Sequence, residues 1–186
     1  MRKQLMFICA CHASLAGCHT SEAPAKLAMA KAASDETSPA SNPVELESGQ
    51  PSIRALAELA LQAIEARDLE ALNSLRVTEQ EYKKVFFPEF PEAQPGHNLS
   101  SDFQWFHLNM KSLKGLKDAI EEYGGQSFEL MDIVVTQGTQ EYKSFKAHKK
   151  VELKVRRATD GQELQIRVFG SVVERYGQFK IFSFPS

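Results

Sequence analysis

The chain has 186 residues, 42% hydrophobic and 25% charged, with a formal net charge of −2; this is the composition of one globular domain with appendages. The first 18 residues hold Arg2, Lys3 and no acid, so the 22 basic residues fall to 20 against 24 acids in the remainder, or −4. That balance excludes a general electrostatic footprint for nucleic acid, and with Cys9, Cys11 and Cys18 all in this leader no later disulfide or thiol nucleophile exists.

Arg2 and Lys3 precede an apolar run, Leu5-Met6-Phe7-Ile8-Cys9-Ala10-Cys11, and after His12 the chain continues from Ala13 to Gly17. The run has the length of a signal-peptide core and is short of the ~20 residues a membrane-spanning helix needs. It ends in Leu15-Ala16-Gly17-Cys18. This resembles the lipobox of bacterial lipoproteins. The resemblance implies that residues 1–17 are a signal peptide and that Cys18 takes a diacylglycerol through its thiol. After cleavage, two or more acyl chains, palmitate among them, make membrane attachment durable where one would be marginal. An ordinary signal peptide cut at a small-residue site is the competing reading. His19 stands where an Asp would retain a lipoprotein in the inner membrane, so the resemblance implies the outer membrane, facing the periplasm.

Residues 19–51 contain no aromatic residue and are rich in Ala, Ser, Pro, Glu and Thr. Such a stretch cannot bury enough apolar surface to offset its ordering entropy. It reads as a tether, with a transient helix around residues 26–33, and as a coil it reaches roughly 30 Å.

From residue 52 a domain begins. Ser52 is placed to cap a helix carrying Ile53, Leu56, Leu59, Ala60, Ala63 and Ile64. Asp68 is placed to cap a second, with Leu69, Leu72 and Leu75, and Thr78-Glu79-Gln80-Glu81 is a capping box for a third that Pro88 stops near Phe87. After a loop with Pro88, Pro91, Pro95 and Gly96, a second capping box at Ser101-Asp102-Phe103-Gln104 opens the longest helix. Its expected apolar face is Phe103, Phe106, Met110, Leu113, Leu116, Ile120 and Tyr123, and Gly124-Gly125 ends it.

The period then changes to 2. Four strands are expected, over about residues 127–137, 145–155, 163–175 and 179–184, with turns at Gly138, Asp160-Gly161 and Gly177-Gln178. Lys149 breaks the alternation of the second strand and marks a bulge or an end. Helices followed by an antiparallel meander predict an α+β domain in which one long helix packs on a curved four-stranded meander. This layout, with the helix junction Glu65-Ala66-Arg67-Asp68-Leu69-Glu70-Ala71-Leu72 and the last hairpin at Gly177-Gln178-Phe179-Lys180, resembles the nuclear transport factor 2-like (cystatin-like) superfamily over residues 52–184. The resemblance implies a cone-like sheet wrapped on a helix, and it departs in having no obvious strand pair among the helices.

Candidate sites are few. A nucleophilic hydrolase is disfavoured, since Gly170-Ser171-Val172 lies within a strand pattern. His19, His97, His107 and His148 show no ligand spacing, so no metal site is expected, and no cofactor is called for. The superfamily resemblance implies an isomerase- or hydratase-like alternative using acid–base residues. Asp132, between Met131 and Ile133, would be the base if it faced the interior and its pKa rose, with Tyr123 and Tyr142 as donors and His107 as a further candidate. The competing reading places Asp132 on the outside. Trp105, Phe106 and the Phe86-Phe87-Pro88 corner form an aromatic cluster that is either core or the mouth of a pocket for an apolar ligand or partner helix. Residues 143–157 carry seven Lys or Arg against one Glu, and Lys146, Lys150, Lys154 and Arg156 are expected on one face, open to anionic envelope material or simply solvated.

The leading expectation is an envelope-anchored, non-catalytic module that binds a small apolar ligand or an envelope protein, with membrane lipid as its anchor. The enzyme is the first alternative, and a homodimer pairing through the wet face of the sheet is the second.

Overall fold

The computed structural model describes residues 45–97 and 99–185; Cys18, the expected signal peptide and most of the expected tether lie outside the described residues. The three caps read near the start of the domain are present. Ser52 Oγ accepts from the Ala55 amide at 3.0 Å and starts α1, Ile53–Glu65; Asp68 Oδ1 accepts from the Ala71 amide at 2.8 Å and starts α2, Leu69–Ser74. Thr78 and Glu81 make the reciprocal capping box of α3, Glu79–Glu81. That helix does not continue to Phe87 as expected. It widens into a π turn, Tyr82–Phe86, and then a 3₁₀ turn, Phe87–Glu89. Tyr82, Val85, Phe86 and Phe87 are all buried, and at ~100° per residue an unbroken α-helix would spread them over more than half its circumference.

Packing begins before residue 52, ahead of the expected boundary. Leu46 is buried, the Glu47 amide donates to Glu81, and Gln50 forms an antiparallel bridge to Phe179.

The long helix is α4, Ser101–Tyr123, capped by Ser100 rather than by Ser101. The register therefore moves back one residue, which puts Phe103 in place of Gln104 at the third helical position, and no reciprocal box forms. Its buried residues are Ser112, Gly115, Leu116 and Ala119. The expected apolar stripe is about 160° wide at helical spacing, and only its C-terminal half turns toward the core. Phe103, Phe106 and Met110 are 53%, 59% and 55% exposed.

The four expected strands are seven shorter ones in two antiparallel sheets. One holds β1 (Phe128–Val135), β4 (Val151–Arg157) and β5 (Glu163–Ile166) in the order β1-β4-β5. The other holds β2 (Thr139–Glu141), β3 (Lys146–Lys149), β6 (Ser171–Arg175) and β7 (Gln178–Ser183) in the order β2-β3-β6-β7. The expected second strand breaks at Lys150, whose φ is 53°, and passes from one sheet to the other. The expected third strand breaks across residues 167–170, where Val168 and Phe169 are both fully buried, a pair that strict alternation cannot bury on one face. The Lys150 amide donates to the Gly170 carbonyl at 2.9 Å, so the two breaks lie side by side. A Cβ on Gly170 would stand 2.7 Å from Ser183 Oγ. Tyr176 and Gly177, with φ of 50° and 74°, form the last tight turn.

Two clusters make the core. The larger joins α1, α2 and α4 to the sheets through residues such as Leu56, Ile64, Leu116, Leu153 and Ile181; the smaller groups Leu46, Val77, Val85, Phe86, Phe145 and Val173. Beside the second lies a buried ion pair, Lys180 Nζ to Glu81 Oε2 at 2.9 Å.

Candidate functional site

The second core cluster opens at one side into a cleft of about 480 Å³. Its apolar walls are Tyr82, Phe87, Phe90, Tyr142 and Phe182. Phe90 sits edge-on to Tyr142 and Phe182, with ring centroids 5.3 and 5.8 Å apart, and Tyr82 is tilted against Phe87 and Phe182 at 5.9 Å each. Aromatic pairs in such arrangements contribute about 0.5–1.5 kcal/mol each beyond area burial. Their mutual packing holds the walls before any ligand arrives.

The polar lining comes from three other places. Gln104, His107 and Lys111 project from α4, Gln140 and Lys149 come from β2 and β3, and Glu92 belongs to the 3₁₀ turn Pro91–Ala93. Burial first, and Glu92 second, push the Tyr82 phenol up to about 12. The same two causes, in the same order, raise Tyr142, against a weaker opposing hydrogen bond with Gln140. Both phenols thus stay neutral near pH 7. The cleft presents apolar faces and hydrogen-bonding tips, with its one lining carboxylate exposed. Flat aromatic faces and polar side chains border the same space.

Of the residues singled out from the sequence, the structure brings Phe87, Tyr142 and His107 to this cleft. His107 is exposed and lies edge-on to Phe103 at 4.4 Å. Trp105 is part-buried against Tyr82, ring centroids 5.3 Å apart, behind the wall rather than on it, and Phe106 points outward. Tyr123 packs against Phe128 at 6.3 Å, its hydroxyl pushed up to about 12 by burial first and then by Glu122.

Asp132 does not meet the condition set for a general base. It is exposed on β1 and accepts from the Ile133 amide at 2.9 Å and from Lys154 at 3.3 Å. Those two bonds, the amide first, hold its carboxyl below the ordinary value, the opposite direction from a buried base. Among the described residues the buried carboxylate is Glu81. Its oxygens accept from the Glu47 and Thr78 amides at 2.7 and 2.6 Å and from Lys180, so it is committed to structure.

The expected basic face is also rearranged. Lys146 lies on β3, in one sheet, and Lys154 and Arg156 on β4, in the other, with Lys150 at the break. Each has an acidic neighbour: Lys146 has Glu141 at 3.8 Å, Lys150 has Glu152 at 3.9 Å, and Lys154 has Asp132 at 3.3 Å. Arg156 lies between Glu129 and Glu163 at 3.2 and 3.1 Å. These four charges are locally neutralised in space: Glu141, Asp132, Glu129 and Glu163 arrive from neighbouring strands, and Glu152 is the one acid of the run itself.

Among the described residues no three metal-ligating side chains converge; His148 Nε2 instead meets Glu174 at 3.1 Å and its Nδ1 meets Thr139 Oγ1 at 2.8 Å. No helix among those residues is long and apolar enough to cross a membrane. Tyr82, Phe90, Phe182, Lys111 and Lys149 escaped the sequence reading as site residues. Their only signals were an aromatic residue lodged between Pro88 and Pro91, and Lys149 breaking the alternation of its strand. No family model, curated protein or solved structure matches the chain.

Proposed function

We propose that the chain is an envelope-anchored bacterial lipoprotein whose domain is a non-catalytic module binding a small apolar ligand in the aromatic cleft. The cleft carries this reading: five aromatic side chains wall about 480 Å³ and no buried acid lines it. That combination of apolar walls and a few polar groups is the usual build of a small-ligand site. The anchor rests on Leu15-Ala16-Gly17-Cys18 behind Arg2 and Lys3, and the assignment to the outer membrane on His19. Helices followed by two antiparallel sheets support a nuclear transport factor 2-like arrangement, in which a bent sheet partly encloses helices as a cone.

Two measurements test the two halves. Replacing Cys18 with Ala should move the protein from the membrane to the soluble fraction of a bacterial host, and unchanged detergent partitioning would end the anchor reading. Fluorescence titration with the neutral probe N-phenylnaphthylamine should show saturable binding that Phe90→Ala weakens about tenfold or more. Absence of binding, or binding indifferent to Phe90, would end the ligand reading.

A further inference from the structure

We infer that the cleft selects an anionic amphiphile, an apolar ring or chain ending in a carboxylate, sulfonate or phosphate, with Lys111 and Lys149 receiving the head group. This rests on the ligand-binding reading above and adds the charge of the ligand to it.

The lysines around the domain differ in what faces them. Lys114, Lys146 and Lys150 each have a carboxylate within ion-pair distance, at 2.5, 3.8 and 3.9 Å. Lys83 is held by both Glu79 and Asp102. Among the described residues neither Lys111 nor Lys149 has an acid within that distance, and both line the same cleft from different elements, α4 and β3. Lys84, Lys117 and Lys143 also have no acid within that distance among the described residues, but only Lys111 and Lys149 share the lining of this cleft, so two unneutralised lysines border one cavity with aromatic walls. Low-dielectric walls concentrate the field of such charges on an entering group.

The opposing charge is Glu92. It is exposed and lines the same cleft, beside the tyrosine wall whose phenols it helps to raise. The formal charges of Lys111, Lys149 and Glu92 in the lining sum to one net positive charge. The amides of Gln104 and Gln140 add donors that an anionic oxygen accepts. The aromatic walls take the apolar body, and the lysine side supplies the charge-assisted bonds.

The test compares two fluorescent probes with one apolar body and different charge, the neutral N-phenylnaphthylamine and the anionic anilinonaphthalene sulfonate, on the full chain at low salt. Two exposed pairings should favour the sulfonate about fivefold to thirtyfold. The preference should shrink as salt shortens the screening length to ~10 Å at 0.1 M. Lys111→Gln and Lys149→Gln each keep most of an exposed stem and should weaken the sulfonate several-fold more than the neutral probe; the double variant should abolish the preference. Lys117→Gln, an exposed change on α4 outside the cleft lining, is the charge control. Equal affinity for both probes, or a loss with Lys117→Gln as large as with the cleft lysines, overturns the anion selectivity and leaves apolar binding standing. Failure of both probes to bind overturns the ligand reading and this inference with it.

Discussion

Lys180→Met is the perturbation whose cost the structure defines most closely. The side chains of Lys180 and Glu81 are 2% and 3% exposed, and Nζ lies 2.9 Å from Glu81 Oε2, 3.1 Å from Oε1 and 2.8 Å from the Glu47 carbonyl oxygen. Methionine fills most of the volume but strands a carboxylate in apolar surroundings and takes the donor from a buried carbonyl. Breaking a buried pair by removing one partner costs about 3–5 kcal/mol. Glu81 retains its bonds from the Glu47 and Thr78 amides at 2.7 and 2.6 Å, which places the expected loss near the lower bound, about 3 kcal/mol. Adding Glu81→Gln removes the stranded charge, so the double variant should cost less than the sum of the two single ones by about 1–3 kcal/mol. Urea unfolding at pH 7, followed by the fluorescence of Trp105, measures all three. A loss below about 1 kcal/mol for Lys180→Met, or simple additivity in the double variant, would refute the claim that this pair is buried and coupled.

Three further outcomes are expected. A Cβ on Gly115 would fall 1.7 Å from the Pro185 carbonyl oxygen, so Gly115→Ala should destabilise by about 1–3 kcal/mol in denaturant unfolding; unchanged stability would contradict that helix-to-terminus contact. Phe103→Ser and Phe106→Ser should each change stability by no more than about 0.5 kcal/mol, because both are exposed, whereas Leu116→Ala on the same helix should cost about 2–5 kcal/mol; a large loss at Phe106 would mean the helix is rotated from the position described. Tyr82 and Tyr123 sit at about 12 against an ordinary 10.0. The folded state holds their protons more tightly, so their contribution is complete below pH ~10 and is lost as pH rises from about 10 through about 12. The urea midpoint should fall across that window and fall less steeply in Tyr82→Phe, and a flat profile would remove the argument from burial.

Local signals were legible because they concern neighbours in the chain. Ser52, Asp68 and the Thr78–Glu81 box cap helices through bonds spanning three residues, and the change of period after Gly125 marks the passage from helix to strand. The resemblance of Leu15-Ala16-Gly17-Cys18 to a lipobox and the composition of residues 19–51 are likewise local features, and the proposed anchor and tether rest on the sequence alone. Boundaries and faces were less secure. Ser100 competes with Ser101 for one cap, and which edge of the wide stripe on α4 turns inward depends on the sheets and the C-terminal segment that pack against it. Small residues such as Gly115 and Ala119 form the inward face because Phe184 and Pro185 approach closely there, and no helical periodicity reports that.

The order of charges and apolar residues along the chain was enough to determine an α+β domain with helices first. Tertiary structure alone decided the cleft and the fate of the basic run. Two strands break at Lys150 and near Gly170 and pass between sheets; acids from other strands then stand beside Lys146, Lys154 and Arg156, whereas Lys111 and Lys149 line one cavity with no ion-pair partner among the described residues. Glu81 and Lys180 are separated by 99 positions in the chain. Coulomb interaction depends on distance in space, and sequence records only distance along the backbone.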